Sequence, residues 1–178
     1  HLELTRDLAI RFNNRYGETF KVPDGYIPKT GAKICSLQDP TAKMSKSDPD
    51  QNATVSIIDD EATIVRRFKR AVTDSGAEIC VREDKPGISN LITIYSAIEN
   101  KSAAEVEREF EGKGYGDFKI AVGEAVAARF KPIREEYAHY ISDKEYIAKI
   151  AKDGAEKAAA LAERTLRKVK KKVGLTSF

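Results

Sequence analysis

The sequence predicts a mainly α-helical fold in two unequal parts: residues 1–58 as the end of an α/β domain, and residues 59–178 as a bundle of roughly five or six helices. Three observations point there. From Asp59 onward, apolar residues recur at helical spacing through most of the chain. Before it, prolines at 23, 28, 40 and 49 and the Asp24-Gly25 pair break the chain into loops. The stretches in that first part that read as extended, Ala32–Leu37 and residues 54–58, are too few to build a sheet of their own.

The elements follow in order. Leu4, Leu8 and Phe12 keep helical spacing from the first residues, and Gly17 is placed to end that helix. His1 runs straight into this pattern with no initiator Met and no capping lead-in, so residues are expected upstream. Asp39-Pro40 and Asp48-Pro49 bracket a defined loop, because each proline disfavours helix in the residue before it. Asp59 or Asp60 caps a helix whose apolar face is Ile64, Phe68, Ala71 and Val72. Residues 73–88 are a break, and Leu91, Ile94, Tyr95 and Ile98 mark the next helix. Ser102 and Glu105 have capping-box spacing. After a turn at Gly112, Gly114 and Gly116, the spacing of Phe118, Val122, Val126, Phe130, Ile133 and Tyr137 predicts a long helix kinked near Pro132. Ser142 and Glu145 repeat the capping-box spacing, and a last helix is expected from about Gly154, with Ala158, Ala162, Leu166, Val169 and Val173 inward.

A chain of 178 residues with 41% hydrophobic and 33% charged residues can bury a core without disulfides or metal. Cys35 and Cys80 are far apart and lack metal-site spacing, which suits reduced thiols in the cytoplasm. No apolar run is long enough to span a bilayer, and no leader or lipidation motif is visible. The net charge is +3, but Arg164, Arg167, Lys168, Lys170, Lys171 and Lys172 close the chain with no acidic residue among them. Such an end suits either a polyanion contact or a solvated helix face with cations near its C-terminus.

The chemistry concentrates in Lys43-Met44-Ser45-Lys46-Ser47. Two lysines three apart, separated by Met44 and Ser45, lie in the proline-bracketed loop. Lysine ammonium groups are mobile point charges, and neighbouring N–H and hydroxyl groups add bonds to phosphate oxygens. A loop of this kind stabilises charge developing on a leaving pyrophosphate when it closes over a nucleotide. The plainer alternative is a solvent-exposed lysine-serine loop.

This pentamer resembles the second signature of the class I aminoacyl-tRNA synthetases, and its surroundings resemble the bacterial tryptophanyl-tRNA synthetases. The matching blocks are residues 1–7, Gly31 to Leu37, Gln38 to Ala42, Asp48-Pro49, Ala71 to Ser75, Lys85 to Asn90 and Glu111 to Gly116. They fall in family order and cover essentially the whole chain. The resemblance implies the carboxy-terminal half of such an enzyme: a remnant of a Rossmann-type nucleotide-binding domain over residues 1–58, followed by an α-helical anticodon-binding bundle over 59–178.

The implied reaction is ATP-dependent activation of tryptophan to tryptophanyl-adenylate and its transfer to tRNA(Trp), with Mg²⁺ accompanying ATP. By the same resemblance Lys43 and Lys46 are the catalytic residues, and Ile34, Lys43, Met44, Ser45, Lys46 and Ser47 bind ATP. In this family the main chain at the positions of Ile34 and Met44 holds the adenine, although as side chains both read as packing residues. No metal ligand is assigned in the chain. The family's first signature, the tryptophan pocket and a Gly-x-Asp-Gln turn belong upstream of His1, so the chain alone is expected to be inactive. Cys35 departs from the methionine of many relatives, with a packing effect only. The full-length enzyme is expected to be a cytoplasmic homodimer with no membrane contact. Two alternatives stand beside this reading: a tyrosyl-type class I synthetase, and a non-catalytic tRNA-binding helical module. For RNA contacts, Arg129, Arg134, Arg164, Tyr137 and Tyr140 are candidates against core-aromatic or solvated-arginine roles, and His139 reads as structural.

Overall fold

The computed structural model describes residues 1–27, 31 and 33–175. Among these residues six helices appear in order: α1 (Leu2–Tyr16), α2 (Glu61–Lys69), α3 (Pro86–Glu99), α4 (Ala103–Glu109), α5 (Tyr115–Ser142) and α6 (Lys144–Lys172). The mainly helical expectation holds. Among the described residues no strand forms: Lys33–Leu37 contributes a single bridge, Cys35 to Lys43, and residues 54–58 make none. Ala32, the first residue of the expected extended piece, lies outside the described residues.

The helix ends follow local chemistry. Gly17 adopts φ 79° just past α1, a conformation a Cβ disfavours. Asp60 starts α2 by accepting from the Thr63 N–H, and Pro86 opens α3. Ser102 and Glu105 form the capping box of α4 in both directions. α5 runs unbroken through Pro132, which has no N–H to give to the carbonyl one turn back at Ala128. The last helix starts ten residues before the predicted Gly154. Its cap is Asp143, which accepts from the Tyr146 N–H at 2.9 Å, rather than Ser142. Gly154 is tolerated inside α6 because it lowers helix propensity without breaking a bond.

The chain divides into two compact units. Residues 28–139 form one, and residues 1–27 with 140–178 form the other. The division expected after residue 58 falls inside the first of these.

Unit 28–139 carries a dense core. Ile64 and Phe68 of α2, Ile88, Leu91, Ile92 and Tyr95 of α3, Val106 of α4, and Phe118, Val122 and Val126 of α5 are buried. Phe110 meets Phe118 with ring centroids 4.7 Å apart and Tyr95 at 5.3 Å, edge to face in both cases. Gly123 lets α5 approach α2 closely, since a Cβ there would lie 3.0 Å from the Val65 Cα. The Arg67–Asp59 ion pair, with both side chains largely covered, ties α2 to the loop before it.

The other unit is held more locally. The Asn13 carboxamide accepts from the Thr19 and Phe20 N–H groups and donates to the Phe20 carbonyl, folding the chain back after α1. Phe12 then packs on both Tyr16 and Phe20. From α6, the Lys172 ammonium donates to the Gly17 and Glu18 carbonyls at 3.0 and 2.9 Å, a cation placed just past the C-terminus of α1. No residue of α6 is buried. Of the five predicted inward positions only Val169 is half-buried, while Leu166 stays 43% exposed. Periodicity identifies an apolar face; it does not say what covers it.

Candidate functional site

The site is built around two short backbone segments, 34–36 and 42–44, paired antiparallel. The Ser36 N–H donates to the Ala42 carbonyl at 2.9 Å and the Met44 N–H to the Ile34 carbonyl at 3.0 Å. Between them the chain turns tightly at Gln38–Thr41. The buried Ser36 hydroxyl accepts from the Gln38 and Asp39 N–H groups, and Asp39 accepts from both the N–H and hydroxyl of Thr41. The Thr41 hydroxyl bond, with the Thr41 N–H, holds the Asp39 carboxyl below the usual carboxylate range. These are Asx- and Ser-type turns, which is why Asp39 and Ser36 stand where they do.

Past Lys43 the chain opens into the loop. The Asp48 N–H donates to the Ser45 carbonyl at 3.2 Å, and the Ser45 and Ser47 hydroxyls lie 3.0 Å apart. Lys43, Ser45, Lys46 and Ser47 are exposed. Among the described residues neither Lys43 nor Lys46 has an ion-pair or hydrogen-bond partner. Both ammonium groups are therefore available to an anion. Met44 differs: its side chain turns inward and packs, with Ile34, against the helical core. An apolar cavity of about 270 Å³ lies behind this pair, lined also by Val55, Phe68, Ile94 and Phe130.

Ile34 and Met44 face each other in the pairing, yet only one of the two bonds a closed antiparallel pair would make is present. Among the described residues the Ile34 N–H and the Met44 carbonyl have no hydrogen-bond partner. The pairing thus offers a donor and an acceptor at the base of the loop. One N–H and one C=O match the adjacent acceptor and donor on the edge of an adenine ring.

The frame under the loop comes from the helices. The Asn90 carboxamide accepts from the Cys35 N–H at 2.9 Å and donates to the Cys35 carbonyl at 3.0 Å. The Leu37 N–H donates to the Ala53 carbonyl, and the Val72 N–H to the Leu37 carbonyl at 2.7 Å. The sequence reading did not single out Asn90. Its signal is a carboxamide set among Ile88, Leu91 and Ile92, where a polar group needs a buried partner.

The structure brings Ile34, Lys43, Met44, Ser45, Lys46 and Ser47 together in one loop and its base. The RNA candidates lie on α5 and α6. Arg129 and Tyr137 are exposed on α5, and Arg134 keeps one guanidinium nitrogen out of solvent without a partner among the described residues. Tyr140 stacks on Tyr146 at 5.6 Å, and Arg164 is exposed on α6. Among the described residues no cluster of three His, Cys, Asp or Glu side chains is placed to hold a metal ion.

A loop with two unpaired lysines on a frame of this kind presents two free cations to an anionic ligand. The family model for class I tRNA synthetases (W and Y) matches residues 1–131, and the chain belongs to that family. Within it, the chain is 48% identical over 176 residues to a tryptophan–tRNA ligase of Listeria monocytogenes, covering 98% of this chain and 53% of that protein. Among solved structures it is similar to a tryptophanyl-tRNA synthetase from Mycoplasma pneumoniae, with a TM-score of 0.85 and 30% identity over 99% of this chain and 54% of the other. It is also similar to the Campylobacter jejuni tryptophanyl-tRNA synthetase complexed with ADP and tryptophan, with a TM-score of 0.64 and 32% identity over 98% of this chain and 54% of the other. The chain spans about half the length of the curated relatives it matches.

Proposed function

We propose that this chain supplies the nucleotide loop and the tRNA-binding helices of a tryptophan–tRNA ligase. The observation that carries the reading is the exposed Lys43–Ser47 loop with its two unpaired ammonium groups, in a chain that shares 48% identity with a tryptophan–tRNA ligase along nearly its whole length. In the first step tryptophan's carboxylate attacks the α-phosphorus of ATP. Tryptophanyl-adenylate forms, the α–β phosphoanhydride bond breaks and pyrophosphate leaves. In the second step the terminal ribose hydroxyl of tRNA(Trp) takes the tryptophanyl group and AMP leaves.

In this reading Lys46 neutralises charge developing on the departing phosphates, and Lys43 supports it from the fixed end of the loop. The Ser45 and Ser47 hydroxyls and nearby N–H groups add hydrogen bonds to phosphate oxygens. The Met44 carbonyl accepts from the adenine amino group, and the Ile34 N–H donates to the neighbouring ring nitrogen. Mg²⁺ arrives on ATP and screens its phosphates; the chain assigns it no ligand. We divide the roles at residue 58, with residues 1–58 serving the nucleotide and 59–178 serving tRNA recognition. The enzyme is proposed to act in the cytoplasm as a homodimer. No helix among the described residues is long and apolar enough to cross a membrane.

The test is ATP–pyrophosphate exchange by the polypeptide of the complete reading frame, with tryptophan and tyrosine supplied separately. Exchange with tryptophan alone is expected. Exchange with tyrosine instead keeps the chemistry and overturns the specificity. Exchange with neither moves the assignment to a non-catalytic tRNA-binding module.

A further inference from the structure

The block Lys85-Pro86-Gly87-Ile88-Ser89-Asn90 has no part in the chemistry described so far. Its last residue points from α3 into the protein and is 7% exposed. A carboxamide buried there must satisfy a donor and an acceptor. It finds both on one residue, Cys35. Accepting from the N–H and donating to the C=O of a single residue is what a neighbouring strand does in a closed antiparallel pair. On its other edge the same segment is bonded to Ala42 and Met44. Cys35 therefore stands between two partners: the root of the nucleotide loop on one side, and a side chain imitating a strand on the other.

Two further features fix where that side chain stands. A Cβ on Gly87 would lie 2.3 Å from the Val72 carbonyl oxygen, so the first turn of α3 presses directly on the main chain at Val72. Val72 in turn donates to the Leu37 carbonyl, two residues beyond Cys35. The blocks 71–75 and 85–90 thus close on each other, and both close on residues 35–37. Lys43, the first residue of the loop, pairs opposite Cys35.

We propose that Asn90 is a positioning residue for the nucleotide loop: its carboxamide replaces a strand beside Cys35 and thereby sets the height and register of Lys43 and Met44. The proposal rests on reading Lys43–Ser47 as the ATP loop. Without the carboxamide, two main-chain groups of Cys35 lose their partners and the 34–36/42–44 pairing loses its second edge. Lys46 then spends less time where charge develops. Misplacement on the ångström scale is sufficient for a loss on the order of 100-fold in rate.

The experiment uses pyrophosphate exchange by the complete polypeptide. Asn90→Ala is expected to lower the maximal rate about 10- to 100-fold with the KM for tryptophan unchanged. In a Lys46→Ala background the same change is expected to have little further effect, because both act through one contact. Ile92→Val, a core change of α3 that leaves Cys35 untouched, serves as the stability control and is expected to keep the maximal rate. Asn90→Asp keeps the acceptor but sets a carboxylate oxygen against the Cys35 carbonyl. Its rate relative to wild type is expected to recover as the pH is lowered and the carboxyl gains a proton to donate; this variant stands in if Asn90→Ala does not fold. Wild-type rates for Asn90→Ala, or losses that multiply fully with Lys46→Ala, overturn the proposal while leaving the enzyme assignment intact. If the wild type shows no exchange, the assignment falls, and amide hydrogen exchange on the 178-residue chain decides positioning. Faster exchange at Lys43–Ser47 with unchanged α4 amides supports it, and equal exchange at the loop overturns it.

Discussion

The Lys85 ammonium lies 2.8 Å from the Tyr115 phenol oxygen, and the Asp74 carboxylate completes the triangle at 3.3 Å from Lys85 and 2.9 Å from Tyr115. The Lys85 side chain is only 8% exposed, so its charge depends on these partners. The triangle joins the loop after α2, the start of α3 and the start of α5. Tyr115→Phe removes the central hydroxyl, and the expected loss is about 1–2 kcal/mol of unfolding free energy in urea denaturation.

The same triangle sets a pH dependence. Burial pushes the Asp74 carboxyl up, but hydrogen bonds from the Gly76 N–H, Tyr115 and Lys85 outweigh it and hold the group below its ordinary value. A depressed carboxylate contributes stability above its unfolded pKa and loses it as pH falls through the folded one. The Tyr115 hydrogen bond, opposed by burial, holds Lys85 above its ordinary value, so its contribution is complete at neutral pH and is lost only at strongly alkaline pH. Thermal midpoints measured from pH 7 downward are expected to fall for the wild type, and to fall less for Asp74→Asn.

Two glycines give opposite signs on substitution. Gly87→Ala places a methyl group 2.3 Å from the Val72 carbonyl oxygen, where main chain must move, and a cost of about 1–3 kcal/mol is expected. At Gly154, inside α6, an added Cβ meets nothing within 4 Å. Gly154→Ala is expected to raise helix stability by about 1 kcal/mol, read as increased ellipticity at 222 nm on heating.

Met44 anchors the loop by its side chain while its neighbours stay in solvent. Met44→Ala enlarges the cavity it shares with Ile34, and because Met44 is half-buried the expected cost is about 1–2 kcal/mol, below that of a fully buried methionine. Chemical denaturation measures it.

Lys43 and Lys46 are predicted to separate kinetically. Lys46→Ala should lower pyrophosphate exchange about 100-fold with the KM for tryptophan unchanged, as expected for a contact made in the transition state. Lys43→Ala, at the fixed end of the loop, should cost less.

What the sequence made legible was local. The Asp60 cap, the Ser102–Glu105 box and the stop at Gly17 each depend on residues within a few positions of one another. The Lys43–Ser47 loop was visible for the same reason. Asn90 was not, because its partner Cys35 is distant in the chain and nothing at either position names the other. The expected strand at 32–37 reduces to one bridge because its second neighbour is a side chain, which a strand pattern cannot anticipate. The early start of α6 was hidden by two adjacent cap-type residues, Ser142 and Asp143, and by a glycine taken for a beginning.

Lys172 meets the carbonyls of Gly17 and Glu18, which lie at the other end of the chain. This has a consequence for the order of folding. Residues 28–139 form a contiguous unit that can condense as soon as α5 has been synthesised, its core complete from α2, α3 and α4. The unit holding residues 1–27 has to wait, because its other half, residues 140–178, is made only after that. A newly made α1 therefore stays without its Lys172 contact until translation has passed α6.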